Sequence, residues 1–170
     1  MLSEKLLTAL SAQVNAEYYS AYLYLAMSAA AADLGLKGVS NWVFTQAQEE
    51  LAHGTHMYNY ILERGATPEF APIAKPPTEY TDVKHIFTEI LKHEQTVTKG
   101  INNLATIAMQ DSDHAAYQFL MWFVNEQVEE ESGVKDIIDK LKLTGANHDN
   151  LLMLDNELGA RVFVDPFPAN

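Results

Sequence analysis

Six polar side chains stand where a helical core would ordinarily place leucine. Read as a helix, residues 87–101 carry Phe87, Ile90, Leu91, Val97 and Ile101 on one stripe, and Glu94 interrupts it. The break recurs elsewhere. Leu10, Val14, Ala21 and Tyr24 surround Glu17; Val39, Val43, Met57 and Ile61 surround Glu50 and His53; Leu120, Phe123, Val134, Ile137 and Leu141 surround Gln127 and Glu130. A carboxylate withdrawn from water must be protonated, paired with a cation or bound to a metal. Lys and Arg are missing from the midhelix faces that would have to pair these acids, so the expected counter-charge is a metal ion.

The interruptions share a register. Glu17 and Glu94 are 77 positions apart, and so are Glu49 and Glu126, Glu50 and Gln127, and His53 and Glu130. Val14 with Leu91, and Ile61 with Ile138, keep the apolar positions in step. The pattern predicts two helical hairpins related by a local twofold axis, with one polar cluster around it. Glu50 and His53 are three apart and therefore share a helical face. Four carboxylates with a single imidazole suit a hard ion such as iron or manganese, and two ions bridged by a shared carboxylate would balance their charge.

The elements that must position these residues follow from caps and breakers. Helices are expected over about 3–33, 38–65, 81–110, 114–142 and 146–160, with Ser3 and either Thr81 or Asp82 as N-caps and Gly65 as a left-handed stop. Residues 66–80 contain Pro68, Pro72, Pro76 and Pro77 and cannot be helical. Extended at about 3.1 Å per residue, they span roughly 40 Å, close to a helix of about 28 residues. Such a connection returns the chain along the bundle, so that the second and third helices run parallel. No segment alternates like a strand. The expectation is a single all-α domain over 1–170: a four-helix bundle with one long crossover and a short fifth helix.

Composition excludes several classes. The chain has 170 residues, is 48% hydrophobic and has a formal charge of −12, which disfavours nucleic acid and anionic membranes as partners and suits attraction of cations. Without cysteine there are no disulfides, thiolate metal sites or thiol nucleophiles. The start, MLSEKLL, lacks the layout of a signal peptide, and no apolar run reaches membrane-spanning length, so a cytoplasmic location is expected.

With these features in place, the stretches NAEYYSAYLYLAMS, QAQEELAHGTHMY, KHEQTVTKGI and FLMWFVNEQVEEE resemble the bacterial non-haem ferritins, over essentially the whole chain. The resemblance implies a ferritin-like bundle with a di-iron ferroxidase centre. It assigns Glu17, Glu50 and His53 to one iron, and Glu50, Glu94 and Glu130 to the second, with Gln127 orienting oxygen or water. Glu49, Glu126 and Glu129, with Glu130 shared, match a third iron position. Tyr24 and Trp122 match aromatics that donate electrons near the site. Leu51 stands where haem-binding relatives carry methionine, and Gln127-x-x-Glu130 replaces a second Glu-x-x-His, so no haem is expected.

The implied function is iron storage: ferrous ions are oxidised by oxygen or hydrogen peroxide inside each subunit, and ferric mineral accumulates in a self-assembled cage. Resemblance implies a 24-subunit homo-oligomer. The alternative is a di-iron oxidase or peroxidase that keeps its two metals and stores none.

Overall fold

The computed structural model describes residues 1–145 and 147–168; position 146, where the fifth helix was expected to begin, and positions 169–170 lie outside the described residues. Four long helices, α1 (Glu4–Asp33), α2 (Lys37–Glu63), α3 (Val83–Gln110) and α4 (His114–Thr144), are followed by a short α5 (His148–Leu158). No strand occurs among the described residues.

The ends are set by local chemistry. Ser3 Oγ accepts from the Leu6 amide, Asp82 Oδ1 from His85, Asp113 Oδ1 from Ala116 and Asn147 Oδ1 from Asp149, each satisfying an amide that the first turn leaves without a partner. Asp82, rather than Thr81, caps α3. Gly65 follows α2 with φ of +73°, a conformation that costs a residue with a side chain.

Short turns make α1 and α2, and α3 and α4, antiparallel hairpins. Across the hairpins, α1 runs antiparallel to α3, since Ser3 meets Asp111 at one end and Ser20 meets His93 near the middle. Likewise α2 opposes α4, with Gln46 on Glu130 and Arg64 on Asp113. Helices α2 and α3 are therefore parallel, as a long crossover requires. That crossover lies along α1: Ser11 Oγ accepts from the Glu69 amide at 3.1 Å, and Asn15 bonds the Glu69 carbonyl at 3.1 Å and the Ala71 amide at 3.0 Å.

Two apolar cores fill the bundle. One gathers Leu6, Leu10, Met57, Ile61, Ile101 and Leu120; the other gathers Met27, Val43, Ile86, Phe87, Ile90 and Val134. Each buried Leu, Ile or Phe contributes about 1.5–3 kcal/mol relative to exposure. Between the two cores, at mid-height, lie the polar residues. No described helix is long and apolar enough to cross a membrane.

Helix α5 closes the second core with Leu154 and Leu158, and Asp155 Oδ1 accepts from the Val39 amide at 2.8 Å. The approach is close enough that a Cβ on Gly38 would stand 1.6 Å from the Asp155 carbonyl oxygen. Gly38→Ala is therefore expected to push α5 off α2 and to destabilise the protein by roughly 1–3 kcal/mol, the usual cost of overpacking. Thermal unfolding and protease sensitivity near residue 145 measure it; an unchanged melting temperature would show that α5 docks without this contact.

Candidate metal centre

Each long helix contributes at mid-height: α1 gives Glu17, α2 gives Glu50 and His53, α3 gives Glu94, and α4 gives Gln127 and Glu130. All six are buried, Glu94 completely. Donor atoms of Glu17, Glu50 and His53 lie within 4.8 Å of one another. His53 Nδ1 faces Glu50 Oε2 at 3.4 Å.

Neutral donors steady the outer oxygens of the cluster. Gln13, one turn before Glu17, donates Nε2 to Glu17 Oε1 at 2.9 Å. Gln46 donates Nε2 to Glu130 Oε2 at 2.8 Å. Tyr24 donates its hydroxyl proton to Glu94 Oε1, and Gln127 Nε2 lies 3.1 Å from Glu94 Oε2 and 3.3 Å from Thr98 Oγ1. Two atoms of the cluster residues remain unmet: Glu17 Oε2 and His53 Nε2 are buried with no hydrogen-bond partner among the described residues. A buried acceptor without a donor is costly, and a cation is the partner such a donor set fits.

The electrostatics point the same way. Burial raises the Glu17 carboxyl, against the neighbouring Glu50 carboxyl and the Gln13 hydrogen bond, which lower it. Glu50 is pushed well up by burial and then by Glu94, Glu17 and Glu130, so it feels all three other carboxylates. Burial carries Glu94 to about 7, despite the Tyr24 and Gln127 bonds, and carries Glu130 to about 8 with help from Glu94. His53 falls to about 4, through burial and then His56, and is thus a neutral imidazole able to ligate. Burial, followed by Glu94, also raises the Tyr24 hydroxyl well above its usual value. The Trp122 ring meets His53 edge-on at 5.5 Å.

The other acidic triplet does not join this cluster. Glu126, half-buried, and Glu129, exposed, line an adjoining pocket of about 320 Å³ that shares Glu130 with the cluster and is also lined by Gln46, Trp42 and Arg161. Glu49 is engaged: Arg161 Nη2 lies 2.5 Å from its Oε2. Burial raises Glu49, against the Arg161 guanidinium, and raises Glu126 together with Glu129 and Glu49, with Arg161 opposing only weakly.

Sequence reasoning missed the supports. Gln13 precedes Glu17 by four positions and Gln46 precedes Glu50 by four, a spacing that could have drawn attention to both. Arg161 and Phe167 carried no such signal, because they arrive from an irregular tail. Phe167 stacks on His56 at 3.7 Å and lies 4.5 Å from Trp122.

A family model described as a ferritin-like domain matches residues 7–144. The chain is 42% identical over 163 residues to a bacterial non-heme ferritin of Staphylococcus aureus (strain USA300), covering 96% of this chain and 98% of that protein. Its identity to the bacterial non-heme ferritin of Staphylococcus haemolyticus is 43%, with the same coverage. Among solved structures, an engineered closed form of the Archaeoglobus fulgidus ferritin superposes with a TM-score of 0.94 at 46% identity, over 96% of this chain and 100% of that one. An open-pore ferritin from the same archaeon gives 0.93, also at 46% identity, over 95% and 100%.

The raised carboxyls fix a pH dependence. In the folded chain Glu94 titrates at about 7 and Glu130 at about 8, against about 4.3 for a free glutamate. Their contribution to stability is full below the free value and is lost as pH rises through the folded values. The lowered His53 works the other way, but only below about pH 6.5. Between about pH 6.5, where the opposing His53 contribution is spent, and about pH 8 the melting temperature of the metal-free protein should therefore fall and then level off, and saturating Mn2+ should abolish the fall by supplying the missing positive charge. Differential scanning calorimetry with and without Mn2+ reads both; a metal-free melting temperature that climbs over this range would contradict the assignment.

Proposed function

This chain belongs to the ferritin family, and on that footing we propose that it oxidises ferrous ions at the buried carboxylate cluster and stores the ferric product as hydrated oxide in a self-assembled cage. The observation that carries the reading is the buried triad of Glu17, Glu50 and His53, whose donor atoms lie within 4.8 Å of one another and in which Glu17 Oε2 and His53 Nε2 have no hydrogen-bond partner among the described residues. Glu17, Glu50 and His53 hold one ferrous ion. Glu50, whose titration responds to all three other acids, bridges to a second ion held by Glu94 and Glu130. Gln127, tethered to Glu94 and Thr98, keeps an amide beside the ions to orient oxygen or water.

The same anions stabilise a trivalent ion more than a divalent one, so the cluster favours the oxidised product. Two ferrous ions side by side supply two electrons together, taking oxygen to peroxide or peroxide to water without releasing a one-electron radical. Tyr24, bonded to Glu94, and Trp122, against His53, are the reserve electron donors. Glu126, Glu129 and the shared Glu130 form the next acidic stop for the ferric product. Subunits assemble into a 24-subunit cage in the cytoplasm. Leu51, 54% exposed on α2, offers no axial ligand to haem.

Glu50→Ala and His53→Ala should each slow aerobic ferrous oxidation by about a hundredfold or more, beyond what losing a supporting hydrogen bond costs. Stopped-flow absorbance of the ferric product measures this; wild-type rates in both variants would remove the site. Iron counted per chain after aerobic loading, with gel filtration, tests storage: uptake far beyond the ligand count in a very large particle is expected. Uptake that stops near two irons per chain would mean a metal-retaining oxidase instead.

A further inference from the structure

One cation reaches the acidic pocket from outside the four long helices. After α5 the chain turns back along α2, where Asn41 Nδ2 donates to the carbonyls of Gly159 at 3.3 Å and Arg161 at 2.8 Å. With its backbone fixed there, Arg161 lays its guanidinium over the Trp42 ring, 4.4 Å from the centroid, and sets Nη2 on Glu49. The attachment is incomplete. Arg161 Nη1 is buried without an acceptor among the described residues. Gln46, a wholly buried residue, also lines this pocket, and its Oε1 finds no donor among the described residues. The Gln46 amide is already oriented by its bond to Glu130, so this oxygen has to meet something else.

Glu126, Glu129 and Glu130 line the pocket as well, beside Gly133 and Ile137, and the oxygen donors that these glutamates and the Gln46 amide offer suit a hard multivalent cation. The guanidinium is the cation already present. We infer that Arg161 is a resident counter-ion of this pocket, which a di- or trivalent ion must displace from Glu49 in order to bind. The guanidinium is bonded to Glu49 and lines the pocket with Glu126, Glu129 and Glu130, so its departure would leave these acids without a counter-charge until an ion of higher charge replaces it. Because Asn41 holds the backbone, the side chain can swing aside without release of the tail. The consequence is a deliberately weak stop: ions leaving the paired centre pass through without filling the pocket permanently. This inference rests on the ferroxidase reading for the source of those ions, but not for the competition itself.

The competition can be read without redox chemistry. Tb3+ is titrated into the metal-stripped, assembled protein, and its luminescence is excited through tryptophan, since Trp42 lines the pocket. In Arg161→Gln the weaker class of Tb3+ sites should tighten on the order of tenfold, as expected for removing one charge beside the ion. Arg161→Lys should stay near wild type, and Arg161→Gln combined with Glu126→Gln should lose the gain. Phe167→Ala, which loosens the tail but keeps the charge, should leave the affinity unchanged. Equal affinity in wild type and Arg161→Gln, or a Phe167→Ala gain as large as that of Arg161→Gln, would overturn the inference. Glu50→Ala separates the two readings: it should abolish the tighter class only, and if that class survives, the paired centre is misassigned while the Arg161 comparison still decides its own question.

Discussion

Four carboxylic side chains, excluded from water and packed into one space, are the constraint around which the subunit is arranged. Desolvation raises all four, and at Glu50 repulsion from Glu94, Glu17 and Glu130 adds to it. Helices do not tolerate such a layer without compensation. Apolar packing lies above and below it, and neutral donors steady the outer oxygens from Gln13, Gln46, Tyr24 and Gln127. None of these partners neutralises charge. The cluster is held in place yet left electrostatically unfinished, which is the condition for binding cations rather than merely tolerating acids.

The topology serves that layer. Two hairpins in a common register bring one interruption from each helix to the same height, and the crossover lets the second hairpin enter in the orientation that makes the interruptions converge. Ser11 and Asn15 pin the crossover to α1 through its own backbone groups, so that a proline-rich segment is held in place without helix or sheet. The tail lies over α2, with Arg161 at the acidic pocket and Phe167 over His56 beside Trp122. The two coverings differ in kind. The crossover meets α1 through neutral hydrogen bonds, whereas the tail brings a charge to the acids.

Much of this was legible beforehand because helical periodicity makes a misplaced polar residue conspicuous. Glu94 within Phe87, Ile90, Val97 and Ile101 is visible in a single turn-by-turn count, and the shared register turns separate oddities into one cluster. The all-α bundle with its crossover and short fifth helix follows from the same periodicity, broken by prolines. The supports were harder to see. A glutamine four residues before a glutamate is common on any helix face, and only coordinates show that Gln46 reaches across to Glu130 rather than along its own helix to Glu50. Arg161 was invisible for a deeper reason. Irregular chain has no period, so nothing in local sequence links position 161 to position 49, and that contact depends on where α5 ends and on the close approach of Gly38 to Asp155.

The central claim is that cations complete the buried acidic layer, and anomalous scattering from crystals soaked anaerobically in ferrous salt tests it most directly. Two iron peaks are predicted on either side of the Glu50 carboxylate, one against Glu17 and His53 and the other against Glu94 and Glu130. A layer without anomalous density at saturating iron, its acids still bonded only to glutamine and tyrosine, would contradict it.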